Sequence, residues 1–255
     1  KKLNLYETII VGFYLITIAS FYSMISTGQY FWLIPLCVWV YINHVFHAFN
    51  HRLNAHRSFT PRNEFVRRMI ISLSIFQVNN SPLKFAVIHR HHHQNSDDTN
   101  KDVHGPHMGL FRTLIGWDFG LTEFAKEKQV KIYKDLLRDE YLVWFDKHYY
   151  KIFFTVFGLL LLISPTWFFY VFAPGVIVWR LQANYFANYL GHKPSLGYRN
   201  HNLPDDSSNN LVSAVVTAGA GYHNNHHANP GNYYFGERWF EFDPSGLIIK
   251  YFLKK

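Results

Sequence analysis

Two long stretches of this chain carry almost no charge, and the polar residues gather before, between and after them. Residues 8–51 contain no Asp, Glu, Lys or Arg, and residues 152–192 contain only Arg180. Each stretch is about twice the ~20 residues a helix needs to cross a bilayer. Open irregular backbone is not tolerated in lipid, so each is predicted to be a helical hairpin. The first runs out over 8–26, turns at Thr27-Gly28-Gln29-Tyr30 and returns over 31–49. The second runs out over 152–172, turns at Pro174-Gly175 and returns over 176–191. The expected fold class is all-α integral membrane: four transmembrane helices as two hairpins, in a single domain over 1–255. A helical cap is expected from 52–151 and 193–255. A signal peptide is a poor reading of the first segment, whose apolar run is too long and lacks a small-residue cleavage site.

Within the cap, 65–75 is apolar but short and carries Arg67 and Arg68, so it should pack in the cap or lie in the interface. Residues 133–150 alternate charge with Leu136, Leu137, Leu142, Val143 and Phe145 at helical spacing, an amphipathic helix leading into the third span. Residues 235–252, rich in Trp, Phe and Ile, are expected on the membrane surface.

Composition agrees: 19% of residues are aromatic and only 16% charged, against roughly 25% charged in an average soluble domain. Of the 25 Lys and Arg, all but Arg180 lie outside the two apolar stretches and neither outer turn carries one. The positive-inside rule then puts both termini and the cap in the cytoplasm. A net charge of +8 fits basic residues facing anionic headgroups, not nucleic acid, which would call for a basic face with stacking aromatics on a soluble domain. Cys37 is the only cysteine, which excludes disulfides within the chain and thiolate metal sites. For Arg180 the preferred reading is snorkelling to the outer headgroups, five residues past the Pro174-Gly175 turn. The alternative is a polar cavity with Gln182 or Asn184 as partner.

Three histidine boxes supply the candidate chemistry: His51-Arg-Leu-Asn-Ala-His56, His89-Arg-His-His92-His93 and His223-Asn-Asn-His226-His227. With 16 histidines in 255 residues, H-x-x-H-H should start by chance at about one position in four thousand, so two copies are not composition. Neutral imidazole binds iron, copper and zinc well. On a helix the i, i+3, i+4 spacing aims three imidazoles one way. Five residues overshoot a turn, so His51 and His56 converge only if the helix ends between them. Asn188 and His192 form an i,i+4 pair at the end of the last span. Isolated histidines are usually structural, which is the expectation for His44, His47, His91, His104, His107, His148 and His201. His104 and His107 stand nearest the second box.

The stretches HRLNAHRSF, HRHHHQNSDD with DVHGPH after it, NYLGH followed by DDSSNN, and GYHNNHHANPG followed by RWFEFD resemble the membrane-bound acyl desaturases, the stearoyl-CoA desaturase-like di-iron enzymes. They run from residue 51 to 243 in the expected order. The resemblance implies two iron ions held by His51, His56, His89, His92, His93, His192, His223, His226 and His227, with Asn188 holding a water. It implies dioxygen as co-substrate and a cis double bond, most often at Δ9, introduced into a saturated fatty acyl chain. The carrier would be coenzyme A, carrier protein or lipid. Two departures stand out: Ala220 replaces an acid usual before the glycine of the third box, and Arg180 stands where an uncharged residue is expected. Metal-bound imidazoles generally give their other N–H to a carboxylate or carbonyl, which makes Asp97, Asp98, Asp102, Asp205 and Asp206 candidates.

No E-x-x-H or H-E-x-x-H motif is present, which argues against carboxylate di-iron bundles and zinc proteases. No haem- or flavin-binding module is visible, so electrons should come from a separate ferredoxin- or cytochrome b5-type donor, for which Lys126, Lys128, Lys131 and Lys134 offer a docking face. The rival readings are hydroxylation, ketolation or acetylenic-bond formation on the same scaffold, and a membrane metal transporter. Transport ligands belong near the bilayer midplane, whereas these boxes sit at span ends.

Overall fold

The computed structural model describes residues 3–115 and 133–255. Among these the secondary structure is helical, apart from three isolated bridges such as Asn209 with Tyr222. Lys126, Lys128 and Lys131 lie outside the described residues; Lys134 begins a single helical turn.

Helix α1 (Leu5–Thr27) opens on a capping box in which Asn4 Oδ1 accepts the Glu7 N–H at 2.9 Å and Glu7 Oε2 accepts the Asn4 N–H at 3.0 Å. It closes where Gly28 turns left-handed at φ 69°. Helix α2 (Tyr30–Ala55) follows at once. At 23 and 26 residues the two are roughly 35 and 39 Å long, enough to cross a bilayer. Only 28% of the most apolar window of each is buried in the protein. The outward residues, Leu15, Ile18, Tyr22, Ile34 and Val38 among them, are exposed. So large an apolar surface belongs against lipid.

The cap contributes α3 (Glu64–Leu73), α4 (Pro82–Asn95) and α5 (Leu110–Ile115). Asp139 then caps α6 (Glu140–Ile163), its side chain accepting the Leu142 N–H at 2.9 Å. From Glu140 on, the amphipathic segment and the first part of the second apolar stretch are therefore one helix, while Lys134–Leu137 is a separate turn. Phe13, Phe153, Phe157 and Val176 form the main core with Ile10 and Ile71.

The second apolar stretch turns earlier than expected. The chain reverses at Ser164, where α6 meets α7 (Pro165–His192) at a bend of 117°, and not at Pro174-Gly175. Ser164 precedes a proline and sits at φ −141°, ψ 66°, outside the helical region, while Pro165 at a first helical position needs no donor. Pro174 stays inside α7 because Phe168–Phe172 adopts a wide π-type turn just before it, shifting the carbonyls its ring would strike. Gly175 serves packing: a Cβ there would lie 2.5 Å from Trp39 Cδ1.

That shift overturns the snorkelling reading of Arg180. The residue lies fifteen positions beyond Pro165, about 22 Å along the helix, and is 2% exposed. Its Nη1 donates to the Val78 carbonyl at 2.8 Å and to Asn79 Oδ1 at 3.2 Å. It thereby fastens a bend in which Val78 and Asn80 both have positive φ.

The C-terminal segment is only half on the surface. Trp239, Phe242, Tyr251 and Phe252 are exposed, but Phe235, Asp243 and Ile249 are buried. Ile249 and Leu253, in the wide turn after the short helix Pro244–Ile248, pack on Phe49 and Leu53 of α2. Asp243 grips Arg52 through two contacts of 2.9 and 3.1 Å, with both side chains wholly buried. Such a pair fixes geometry more than it adds stability, but removing one partner strands a buried charge.

Candidate metal centre

His51 and His56 are brought together by a widening of α2. His51–Ala55 forms a π-type turn in which the His56 N–H donates to the His51 carbonyl at 3.3 Å. Five residues then make nearly one turn, and the two Nε2 atoms approach to 3.0 Å. The helix need not end between them, contrary to the expectation from α-helical spacing.

The second box lies on α4, capped by Ser81 with Pro82 at its start. The third forms the short helix His223–Ala228, whose first amides are held by Asn209 Oδ1, which accepts the Asn224 and Asn225 N–H groups at 3.0 and 3.2 Å. Asn225 Nδ2 in turn donates to the buried Glu241 at 2.8 Å. Gly221 lets this strap close, since a Cβ there would fall 2.1 Å from the Ala214 nitrogen.

Each H-x-x-H-H box splits between two groups. His51, His56, His89, His93 and His226 form one cluster; His92, His192, His223 and His227 form the other, with ligand atoms in each within 4.8 Å of one another. The i,i+4 pair His89/His93 joins the third box's His226, and the i,i+4 pair His223/His227 joins the second box's His92. In the first cluster the Nε2 atoms of His51 and His89 are 2.7 Å apart, and those of His93 and His226 are 3.0 Å apart. In the second, His223 Nε2 lies 3.0 Å from that of His192 and 3.1 Å from that of His227.

The other ring nitrogens show which way the second cluster's protons point. His92 Nδ1 donates to Asp102 at 3.0 Å, His192 Nδ1 to Asp97 at 2.8 Å and His227 Nδ1 to Asp205 at 3.0 Å. His223 is bonded to the backbone of Ala220, so a carbonyl serves where an acid side chain is absent. With each proton on the outer nitrogen, four Nε2 lone pairs converge. His92 Nε2 is buried with no hydrogen-bond partner. Burial pushes the His92 imidazole down despite Asp102, and holds His223 and His227 well below the ordinary value, so protonation does not relieve the repulsion. A cation does, and the donor set fits a histidine-ligated metal. In the five-membered cluster burial, with Arg90 beside it, pushes His56 down to about 3, and His89, His93 and His226 are held low chiefly by burial.

Of the five aspartates expected to flank the boxes, Asp97, Asp102 and Asp205 touch imidazoles. Asp98 instead accepts the Asn100 N–H at 2.9 Å and faces Lys101. Asp206 is exposed and meets the site only through its backbone N–H, which donates to Asp97 Oδ2 at 2.9 Å. Burial alone would raise Asp97, but the His192 hydrogen bond and charge bring it down to about 2. Asn188 donates to Asn184 Oδ1 at 3.1 Å and lines the cavity beside the clusters. His104 stacks on His92 with centroids 4.1 Å apart, and a ring nitrogen of His107 lies near Asp97 and Asp102. His44, His91, His148 and His201 contact Gln182, the Lys101 carbonyl, the Trp144 carbonyl and Glu237 respectively.

Sequence reasoning missed Arg52, Phe235 and Glu241. The Arg52 guanidinium lies 3.9 Å from the Phe235 ring centroid, and that ring stacks on His226 at 4.4 Å. The only linear signal was an arginine beside a box histidine and an acidic pair in RWFEFD. A cavity of about 760 Å³, open space at its mouth included, runs from His51, His89, His223 and His226 into the spans as far as His44, Trp179 and Arg180.

Residues 31–236 match the family model described as fatty acid desaturase. The chain is 32% identical over 204 residues to the sn-1 stearoyl-lipid 9-desaturase of Anabaena variabilis, covering 78% of this chain and 72% of that protein. It is 31% identical over 224 residues to stearoyl-CoA desaturase 2 of Rattus norvegicus, covering 80% and 60%. It is 28% identical over 247 residues to the acyl-CoA Delta-12 desaturase of Tribolium castaneum, covering 89% and 64%. With nine imidazoles, six of them buried and three partly buried, gathered beside apolar helices, and with these relatives, the chain belongs to the fatty acid desaturase family, membrane oxidoreductases that act on fatty acyl chains.

Proposed function

We propose that this protein is an oxygen-dependent, Δ9-like acyl desaturase whose two imidazole clusters each hold one iron ion, with Asn188 holding a water at the four-imidazole position. The observation that carries the reading is the convergence of nine histidine ring nitrogens into two clusters at the head of one cavity. When bound, the iron pair supplies oxygen activation, using two electrons from a separate ferredoxin- or cytochrome b5-type donor.

The chain's own part is placement. Phe85, Ala48, Ala183 and Ala187 line the cavity, and small residues at helical spacing leave a groove in which an extended hydrocarbon can lie. Holding the substrate against His51, His89, His223 and His226 makes geometry select which adjacent carbons react. The surrounding aromatics exclude water. Orientation follows from charge: both termini and the histidine end face the cytoplasm, and α6 and α7 cross separately with Ser164 at the outer face. The relatives' names specify lipid-linked and CoA-linked chains, and an acyl chain is the part these share.

The test is expression in a host without its own desaturase, followed by fatty-acid profiling. Wild type should give new monounsaturated chains and His226→Ala none. A product carrying added oxygen, by mass spectrometry, would replace desaturation with hydroxylation or ketolation. An unchanged profile in the variant would remove His226 from the ligand set.

A further inference from the structure

The two imidazole clusters differ in what stands behind them. In the four-membered cluster three of the four rings give their outer N–H to an aspartate: His92 to Asp102, His192 to Asp97 and His227 to Asp205. Among the described residues, none of these three carboxylates pairs with a lysine or arginine; their other donors are neutral, such as the Asp97 N–H to Asp102 at 2.9 Å, the Ser207 N–H to Asp205 at 3.0 Å and the Ser96 hydroxyl to Asp97 at 3.5 Å. In the five-membered cluster no carboxylate among the described residues touches any ring. His226 Nδ1 is buried without a partner, and the ring packs on Phe235 beneath the Arg52 guanidinium. Arg90 and Arg52 both bear on His56.

We infer that the two metal positions are electronically unequal, and that the four-imidazole position holds the more oxidised ion whenever the two differ in charge. This rests on the di-iron reading above. An imidazole that donates to a carboxylate is a more basic ligand. Three unneutralised carboxylates around neutral rings also leave a charge of about −3 that a trivalent ion balances. Five neutral imidazoles, beside guanidinium groups already paired with Asp243 and Asp135, give no such compensation and suit a divalent ion. The extra nitrogen there works in the opposite direction, but a neutral donor adds less than three full charges. Asp97, Asp102 and Asp205 are then positioning residues that act on the metal through their imidazoles.

The experiment is a reductive titration of the purified, iron-loaded protein in nanodiscs, followed by Mössbauer spectroscopy on iron-57, for wild type, Asp205→Asn and Asp97→Asn. Iron content is measured in parallel. Wild type should reduce in two separate one-electron steps. Losing one such partner weakens a metal site about 10- to 100-fold. If that loss falls on the ferric form, it raises the lower midpoint by about 59–118 mV, at 59 mV per tenfold for one electron. The upper midpoint should stay in place. Loss of a single ion from a variant, with the survivor reducing at the wild-type upper potential, also supports the inference. Coincident steps, a variant that moves the upper step, no shift in either variant, or loss of both ions from both variants overturns it. Wild-type protein that takes up fewer than two irons refutes the di-iron reading itself.

Discussion

At the scale of single residues, the informative property of a histidine here is its cluster and not its box. His92 and His93 are chain neighbours, yet one belongs to the four-membered group and the other to the five-membered group. Consecutive helical residues point about 100° apart, so adjacency in sequence guarantees divergence in space. His92→Ala should therefore reduce bound iron from about two ions to one, and adding His93→Ala should remove the second. Combining His92→Ala with His223→Ala should leave about one ion, because both act on the same position. Iron content by plasma mass spectrometry decides this. Equal losses from both double variants would show that the clusters do not act separately.

At the scale of elements, two joints hold the histidine-bearing pieces in register. Asp135 receives Arg90 of α4 at 2.8 Å and Arg57, just after the first box, at 3.2 Å. Arg90 also donates to the Ala55 carbonyl of α2. The Arg90 hydrogen bond holds the Asp135 carboxyl down to about 2 from 3.8. A depressed carboxylate contributes stability above its unfolded value and loses it as pH falls through the folded one. Asp135→Asn should thus lower Tm at pH 7, by an amount worth about 1 kcal/mol or less given the 45% exposure of the carboxylate. The gap to wild type should close between pH 4 and pH 2, and a gap independent of pH would refute the ion-pair account. The second joint is Gly175 against Trp39. Gly175→Ala should cost about 1–3 kcal/mol through overpacking, read as a lower thermal midpoint with the iron content of the remaining folded protein unchanged.

At the scale of the whole molecule, the fold divides into a lipid-facing pair of apolar units and a polar end where distant segments meet. Arg52 with Asp243, Arg180 with Val78 and His51 with His89 join segments separated by 191, 102 and 38 positions. The reversal at Ser164 makes a topological prediction. With Cys37 replaced, Ser164→Cys should react with a membrane-impermeant maleimide from the outer face of intact cells. Gly175→Cys, buried against Trp39, should not. Labelling of Gly175→Cys in preference to Ser164→Cys would restore the later turn.

The amino-acid pattern by itself determined the apolar segments, because lipid leaves no freedom over charge or unpaired backbone. It also marked imidazole as the candidate ligand type, because three dense histidine boxes offer little else. It pointed to the flanking aspartates as a set but could not separate them. Asp97 takes a left-handed conformation at φ 62° that turns its carboxylate to His192, whereas Asp98, one residue on, caps a turn. Tertiary structure alone decided the five-and-four division, the role of Arg180 and the place of the reversal. Each depends on what a side chain meets from another segment. Helical spacing gives direction about one axis only, and proline and glycine mark either a turn or a packing contact until their neighbours are known.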